Sequence, residues 1–327
     1  MAGRFGPASV FGPYVDGYDL AAAKLDALRD KAIATQVESH GLGDSWKERS
    51  PTGEKDTELV QEGAFFDTAT GSSHDALSTS VPTSPQATER VICFGYAGET
   101  IGEMFVGIKG AYSHEYEVAA ERDNLQKANA AYAVSGQRDP GTILQPLAAK
   151  TADWDTESTP VDYSADTGQR VVPITSNSQA NPSVVTTTVP HGLTSGDIVL
   201  ISGVSGSDAD INGEQVATVI STTTFSVPVD ATTSAGTGGS FVRANSANGG
   251  VGYLQVTAAA TFTNFVGKIR DSPDDITYAD LITFADNVSA PFAERLTVAG
   301  TIDRYTAFDG NVTGAGSISV FCGLSRS

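Results

Sequence analysis

The chain has 327 residues, which is enough for two or three domains that each bury a core. Its 39 acidic and 20 basic residues give a formal charge of −19, which argues against wrapping DNA or docking on an anionic membrane. No apolar run is long enough to span a bilayer, and the first residues lack a secretion signal, so neither a membrane protein nor a secreted one is expected.

The composition predicts a mainly β protein, because glycine, threonine and valine are abundant and long helical patterns are few. Residues 171–247 stand apart, with five acidic residues, one basic residue and many serines and threonines. We therefore predict three domains: residues 1–170, an inserted β module at residues 171–247, and a C-terminal β domain at residues 248–327.

In the first domain, the run DLAAAKLDALRDKAIA at residues 19–34 has helix-forming composition, although its continuation also suits a long strand that leads into a loop. A short helix is predicted over residues 73–80, with Ser72 or Ser73 as its cap. Strands are predicted over three further segments, residues 90–96, 104–108 and 114–119.

The middle domain shows short strand patterns that predict a small barrel or sandwich. Strands are predicted over residues 197–204 and 216–220, and around the alternating Phe225, Val227 and Val229. The dipeptide at residues 212–213, Asn-Gly, predicts a two-residue type I′ hairpin turn, because both central residues of that turn need positive φ.

The last domain contains strand-like runs at GYLQVTA, FTNFVGKI, ITYADLITF, RLTVAGTIDRYTAF and SISVFCGLS.

The only cysteines are Cys93 and Cys322, which fits a reducing compartment and makes a disulfide framework unexpected. Cys322 falls on an alternating apolar face, so we predict that it is a small core residue.

One segment of the middle domain resembles a calcium-binding loop. The segment DADINGEQVATV matches such a loop at its first, third, fifth and sixth positions, but Val219 occupies the twelfth position, where a bidentate glutamate is needed. We interpret the segment as a hairpin turn and predict no metal site.

The sequence contains no recognisable set of catalytic residues. Ser45 lies in a GDS triplet similar to the nucleophile block of one lipase class, but that serine needs an Asp-x-x-His partner. The four histidines lie outside that context and have no zinc-ligand spacing: His40, His74, His114 and His191. We expect neither catalysis nor a cofactor.

The segment HEYE at residues 114–117 alternates along a predicted strand. This pattern places Glu115 and Glu117 on one face, with His114 and Tyr116 on the other. Paired carboxylates can act in acid–base catalysis, but an acidic strand that faces solvent or a channel is the more common arrangement.

Three stretches together resemble the major tail tube proteins of long-tailed, non-contractile bacteriophages. They begin at DGYDLAAAKLDALRDK, at FGYAGETIGEMFVGIKGAYSHEYEV and at GGVGYLQVTA, and they cover most of the chain outside the middle domain. The middle domain resembles small β modules of phage structural proteins around HGLTSGDIVLISGV and INGEQV. The resemblance favours a strand over a helix at residues 21–31.

The resemblance implies a tail-tube β-sandwich or barrel whose subunits form stacked rings, with hexamers favoured and trimers left open. It implies that residues 43–66 form a loop-and-hairpin region between rings, with contacts from Trp46, Lys47, Glu48, Arg49, Phe65 and Phe66. A mixed-charge rim around an aromatic anchor is typical of such contacts.

The implied location is the tail of the virion, after assembly in the host cytoplasm. The implied partners are further copies of the chain, a tape-measure protein, and double-stranded DNA that passes without sequence-specific binding. Acids that face the bore, for which Glu115 and Glu117 are the candidates, would repel DNA phosphates over about 8 Å.

Two other functions are alternatives to a tail tube subunit. A tail fibre or lectin-like adhesin that binds host glycans would suit β modules rich in serine and threonine, but the sequence lacks trimeric repeats and coiled-coil heptads. A hydrolase that uses Ser45 is disfavoured because the serine has no activating histidine.

Overall fold

The structure is a computed structural model that describes residues 9–20, 25–39, 48–69, 72–78, 89–120, 125–134, 138–153, 159–163, 171–206, 211–244, 249–286 and 289–326. These residues form one short helix, α1 (Ser73–Ser78), and 22 strands. The strands up to the middle domain are β1 (Phe11–Val15), β2 (Tyr18–Asp19), β3 (Ala27–Ser39), β4 (Glu48–Phe65), β5 (Arg90–Gly95), β6 (Met104–Ala119), β7 (Lys127–Val134), β8 (Arg138–Lys150) and β9 (Val161–Asp162).

The strands of the middle domain are β10 (Val172–Asn177), β11 (Ser183–Thr187), β12 (Ile198–Ser202), β13 (Gly213–Val216), β14 (Thr218–Val219), β15 (Thr224–Val227) and β16 (Ser240–Arg243). Those that follow are β17 (Gly250–Ala260), β18 (Asn264–Ser272), β19 (Ala279–Thr283), β20 (Phe292–Val298), β21 (Tyr305–Thr313) and β22 (Ser317–Arg326). The protein is mainly β, as its composition predicts. No helix in the described part of the chain has the length and apolar character needed to cross a membrane.

The largest sheet combines the first and last parts of the chain. Its main path runs β2-β1-β5-β6-β8-β22-β17-β20, and β7, β4 and β3 branch from β6. Because β22 pairs with both β8 and β17, the sheet is continuous across the boundary predicted between the first and last domains. The three-domain division itself stays a prediction.

The turn between β1 and β2 brings the two ends of this path together. Asp16 and Gly17 form a two-residue turn with φ of 49° and 85°, the positive values that a type I′ turn needs. The Gly17 amide donates to the side chain of buried Gln255 on β17 at 2.6 Å. A Cβ on Gly17 would lie 2.3 Å from the Phe292 nitrogen, so only glycine fits between the turn and β20.

The central strand β22 is buried on both faces. One face, which includes Cys322 and Leu324, packs against the four-stranded sheet β19-β18-β21-β9 to form a sandwich core. The other face places Phe321 in an aromatic cluster with Phe105 and Tyr253. This two-sided burial explains the apolar sequence of β22, and it confirms that Cys322 is a core residue.

The middle domain has its own sheet and core. Its strands follow the order β13-β12-β16-β10-β11-β15-β14, and the consecutive strands β13 and β14 are separated only by the buried Ala217. The two strands at the ends of this order, β13 and β14, are therefore neighbours in the sequence. Phe225 and Val227 are buried, as their alternation predicts.

The predicted type I′ turn at Asn212-Gly213 is wrong. Residues 203–212 separate β12 from β13, and Asn212 sits at the end of this long connection. The Asn212 amide exchanges two hydrogen bonds with the backbone of Val204, each 3.0 Å long, because asparagine can stand in for a backbone partner. Asp208 and Asp210 of the calcium-like segment lie outside the described residues.

Longer-range pairing corrects two element predictions and supports a third. The segments predicted at residues 104–108 and 114–119 are one strand, β6, because its first half pairs with β8 and its second half with β7. The run RLTVAGTIDRYTAF is two strands, β20 and β21. In the ambiguous run at residues 19–34, residues 27–34 are extended, which agrees with the strand that the resemblance favours.

Candidate assembly surface

A long two-stranded hairpin extends from the largest sheet. β3 and β4 pair from Ala27↔Glu62 to Ser39↔Glu48, whereas β7 pairs with β4 only over residues 57–65. Within the described chain, residues 33–39 and 48–56 therefore pair only with each other; we call this segment the arm. At about 3.3 Å per residue, the nine residues 48–56 extend about 30 Å. No other described strand pairs with either backbone edge of the arm along that length.

An ion pair ties the base of the arm to the body. Arg138, the first residue of β8, donates to the buried carboxylate of Asp30 on β3. Burial raises the pKa of Asp30, and the Arg138 charge opposes that shift. Burial and the nearby Asp30 charge also raise the pKa of Tyr96 to about 12. The arm is therefore fixed where it leaves the body.

The two predicted phenylalanines lie at the body end of β4, next to helix α1. The Phe65 carbonyl accepts a hydrogen bond from the Ser73 hydroxyl at 2.5 Å, which fastens the start of the helix. The half-buried Phe66 ring lies 5.0 Å from the His74 ring, and His74 Nδ1 shares a hydrogen bond of 2.7 Å with the Tyr116 hydroxyl. Burial raises the pKa of Tyr116. Phe66 thus already has packing partners inside the subunit.

An acidic groove lies beside the base of the arm, where β4, β7 and the second half of β6 meet. Its volume is about 380 Å³, and its charged side chains are Asp26, Glu62, Glu115, Glu117 and Lys127. Lys127 contacts Asp26, and Arg29 contacts Glu62 at 2.9 Å, so two of the four carboxylates have a cationic partner.

The other two carboxylates, Glu115 and Glu117, are exposed on the same face of β6. The Asn129 side-chain amide donates a long hydrogen bond of 3.5 Å to the Glu117 carboxylate. Tyr116 points to the opposite face, toward His74, as the alternation of the HEYE segment predicts. A surface with two uncompensated carboxylates repels polyanions at close range.

The sequence matches no protein-family model and no curated protein. Among solved structures, the chain is similar to the SPP1 Dit protein (gp 19.1). That protein is described as a paradigm of the hub adsorption apparatus in phages that infect Gram-positive bacteria. The match covers 97% of this chain and 98% of that chain at 10% sequence identity, with a TM-score of 0.26. At that TM-score the likeness carries no argument about fold or function.

The structure places the predicted inter-ring residues in different settings. Trp46 and Lys47 lie outside the described residues. Glu48 and Arg49 begin β4 at the far end of the arm, while Phe65 and Phe66 lie at its base. The two groups are therefore separated by most of the length of β4. Their contact with another subunit stays a prediction.

The histidines that the structure describes do not come together. His74 lies in the first turn of helix α1, and His114 is exposed at an irregularity in β6, between Ser113 and Glu115. His40 lies outside the described residues. Among the residues described, no group of three or more histidine, cysteine, aspartate and glutamate side chains is arranged to hold a metal ion.

The sequence reasoning missed the structural role of His191. Its Nε2 donates to the Ser221 carbonyl at 2.8 Å, and its Nδ1 accepts from the Leu193 amide at 3.0 Å. The ring therefore joins two loops of the middle domain, and both nitrogens are occupied. The turn signals in PHGLTSGD mark this loop, but only the fold shows which carbonyl the histidine reaches.

Proposed function

We propose that this protein is a structural subunit of a bacteriophage tail, which self-assembles into stacked rings that form the tube for DNA. The role requires no catalytic step and no cofactor, because assembly depends on surface complementarity and conduction depends on a wall that does not bind DNA. Rings of six subunits are favoured, and rings of three are the alternative.

The observation that carries the proposal is the arm. An isolated two-stranded hairpin is marginally stable in water, and an open strand edge readily pairs with another chain. An arm about 30 Å long with two open edges is thus better suited to a neighbouring subunit than to solvent. The sequence resemblance to tail tube proteins supports the same reading, since it assigns this region to the contact between rings.

The acidic groove supports the second half of the proposal. Glu115 and Glu117 form no ion pair with a described residue, and both are exposed on a sheet face beside the groove. If that face lines the bore, the carboxylates repel the phosphates of passing DNA, within the screening length of about 8 Å at physiological salt. The tape-measure protein would occupy the same space before ejection.

The test compares the wild type with a variant that lacks the arm. In this variant a short Gly/Ser turn replaces residues 33–55, which leaves the pairing of β4 with β7 intact. Negative-stain electron microscopy should show rings and tubes for the wild type. For the variant it should show dispersed subunits, whose circular dichroism spectrum and melting curve still report a folded β protein.

The outcomes distinguish the candidates. Tubes formed by the armless variant would contradict the role of the arm. Wild-type protein that stays monomeric at high concentration would contradict the tube proposal. Trimeric rods that bind host glycans would identify an adhesin instead.

A further inference from the structure

The module formed by residues 171–244 shares no sheet with the rest of the described chain. Its seven strands pair only among themselves. Motion between domains is the usual expectation when the interface between them is small. Two arginines of the body nevertheless contact the module, one at its last described residue, Ala244, and one at Glu214 on β13.

Arg326, at the end of β22, contacts the module where the chain leaves it. Its Nη2 donates to the carbonyl of Ala244 at 3.0 Å. The same guanidinium lies over the ring of Tyr163 at 4.0 Å, and Tyr163 belongs to the segment that precedes the module. One planar side chain therefore contacts both the segment that precedes the module and the module's last described residue.

Arg304, just before β21, provides the second contact. Its Nε and Nη2 bind the two oxygens of Asp162 at 2.8 and 2.9 Å, which fixes the guanidinium in a bidentate pair. Its remaining Nη1 faces Glu214 on β13 of the module at 3.5 Å. The carbonyl of Arg304 also accepts a hydrogen bond from the Tyr163 amide at 3.2 Å.

We propose that Arg304 and Arg326 form a clamp that fixes the orientation of the module on the body. Two contacts at separate points of the module oppose both bending and rotation, whereas a single contact leaves rotation free. The clamp makes the module a rigidly displayed surface and not a loosely tethered domain. A rigid display presents the same module face outward from every copy of the subunit.

The test measures the distance between two spin labels in the dilute, full-length subunit, so its result does not depend on tube formation. Labels are placed at Val189→Cys on the module and Ile276→Cys on the body, both exposed positions. The native cysteines are buried and stay unlabelled. Double electron–electron resonance then gives the distribution of distances.

The clamp is weakened by Glu214→Ala together with Arg326→Lys, since lysine keeps the charge but loses the planar, multi-donor geometry. The matched control is Asp230→Ala together with Arg29→Lys, which makes the same chemical changes away from the clamp. We expect one narrow peak for the wild type and the control. The clamp variant should widen the distribution at least about twofold, because domains with small interfaces move freely.

A broad distribution in the wild type would overturn the proposal. So would a distribution that stays equally narrow in the clamp variant, because the module would then be held by other contacts. Melting curves check that each variant is folded, and Glu214→Ala alone provides a variant that leaves the body unaltered.

Discussion

At the scale of single residues, the two cysteines show how burial in the core lowers the reactivity of a thiol. Both thiols are fully buried, and burial raises the pKa of Cys93 to about 12. The pKa of Cys322 is raised as well, by burial and by the nearby Cys93. Because the thiolate is the reactive form, both residues should be inert in the folded protein.

We predict that a thiol reagent such as dithionitrobenzoate finds no reactive cysteine in the native subunit at pH 8 and two after denaturation. The denatured sample is the control for the reagent. A native thiol that reacts within minutes would show that one of the two sites opens to solvent.

We expect ionisation of buried tyrosines to limit the stability of the fold at high pH. Burial raises the pKa of Tyr132, and burial together with neighbouring carboxylates raises those of Tyr14 and Tyr253. An unfolded tyrosine ionises near pH 10, whereas these three keep their protons in the fold. Their contribution to stability is therefore complete below about pH 10 and is lost as the pH rises toward the raised folded values.

Tyr132→Phe isolates this effect, because the Tyr132 hydroxyl has no hydrogen-bond partner among the described residues. We predict that the variant unfolds at a higher pH than the wild type in an alkaline titration, with stability at pH 7 changed by less than about 1 kcal/mol. Absorbance at 295 nm follows tyrosine ionisation, and circular dichroism follows unfolding. An unchanged alkaline midpoint would mean that Tyr132 already ionises in the native state.

At the scale of elements, the turn at Asp16-Gly17 is the clearest local feature. It has positive φ at both central residues, which is the turn type that we predicted for a different dipeptide, Asn212-Gly213. Both dipeptides carry the same local signal, so sequence alone does not decide between them. What differs is the pairing: β1 and β2 continue directly from the first turn, while β12 pairs with β13 across ten intervening residues.

We predict that Gly17→Ala destabilises the subunit by at least about 1–3 kcal/mol, the typical cost of a strained backbone conformation, with a further loss from the contact with Phe292. Gly213→Ala is the matched control, because Gly213 also has positive φ but no atom lies within 4 Å of its Cβ position. Urea unfolding measures both changes. Equal losses would mean that the turn does not pack against β20.

Other elements show how far sequence patterns reach. Alternation predicted the strand around Phe225, because one of its faces is buried against a neighbour and the pattern is local. For the arm, the residues alone left a helix and a long strand open, and the resemblance favoured the strand. Its residues have helix-forming composition in part, and a strand results there because β3 pairs with β4 along its whole length.

The candidate assembly surface was less predictable than the strands. Glu115 and Glu117 were singled out from their alternation, but Asp26, Glu62 and Lys127 join them only through the pairing of β6 and β4 with β7. The same limit applies to the clamp. Arg304 and Asp162 are distant in sequence, and no local pattern marks a pair formed by the docking of β9 beside β21.

At the scale of the whole molecule, the separate sheets predict which parts can be removed. We predict that replacing residues 171–247 with a short Gly/Ser linker leaves the body folded and assembly-competent, because no strand of the module pairs with the described body. Electron microscopy should show tubes with a thinner outer profile, and the melting temperature of the body should change little. Loss of tubes from a folded deletion protein would mean that the module itself builds the ring.

The position of β22 also has a consequence for synthesis on the ribosome. β8 is made early and can pair with β6, yet its other hydrogen-bonding neighbour in the largest sheet is β22, which begins only at residue 317. Until that strand emerges, the edges of β8 and β17 stay open and the aromatic cluster around Phe321 is incomplete. A nascent or prematurely terminated chain therefore lacks the strand that joins β8 to β17 in the largest sheet. We therefore expect the body to complete its fold only after nearly all of the chain has been translated.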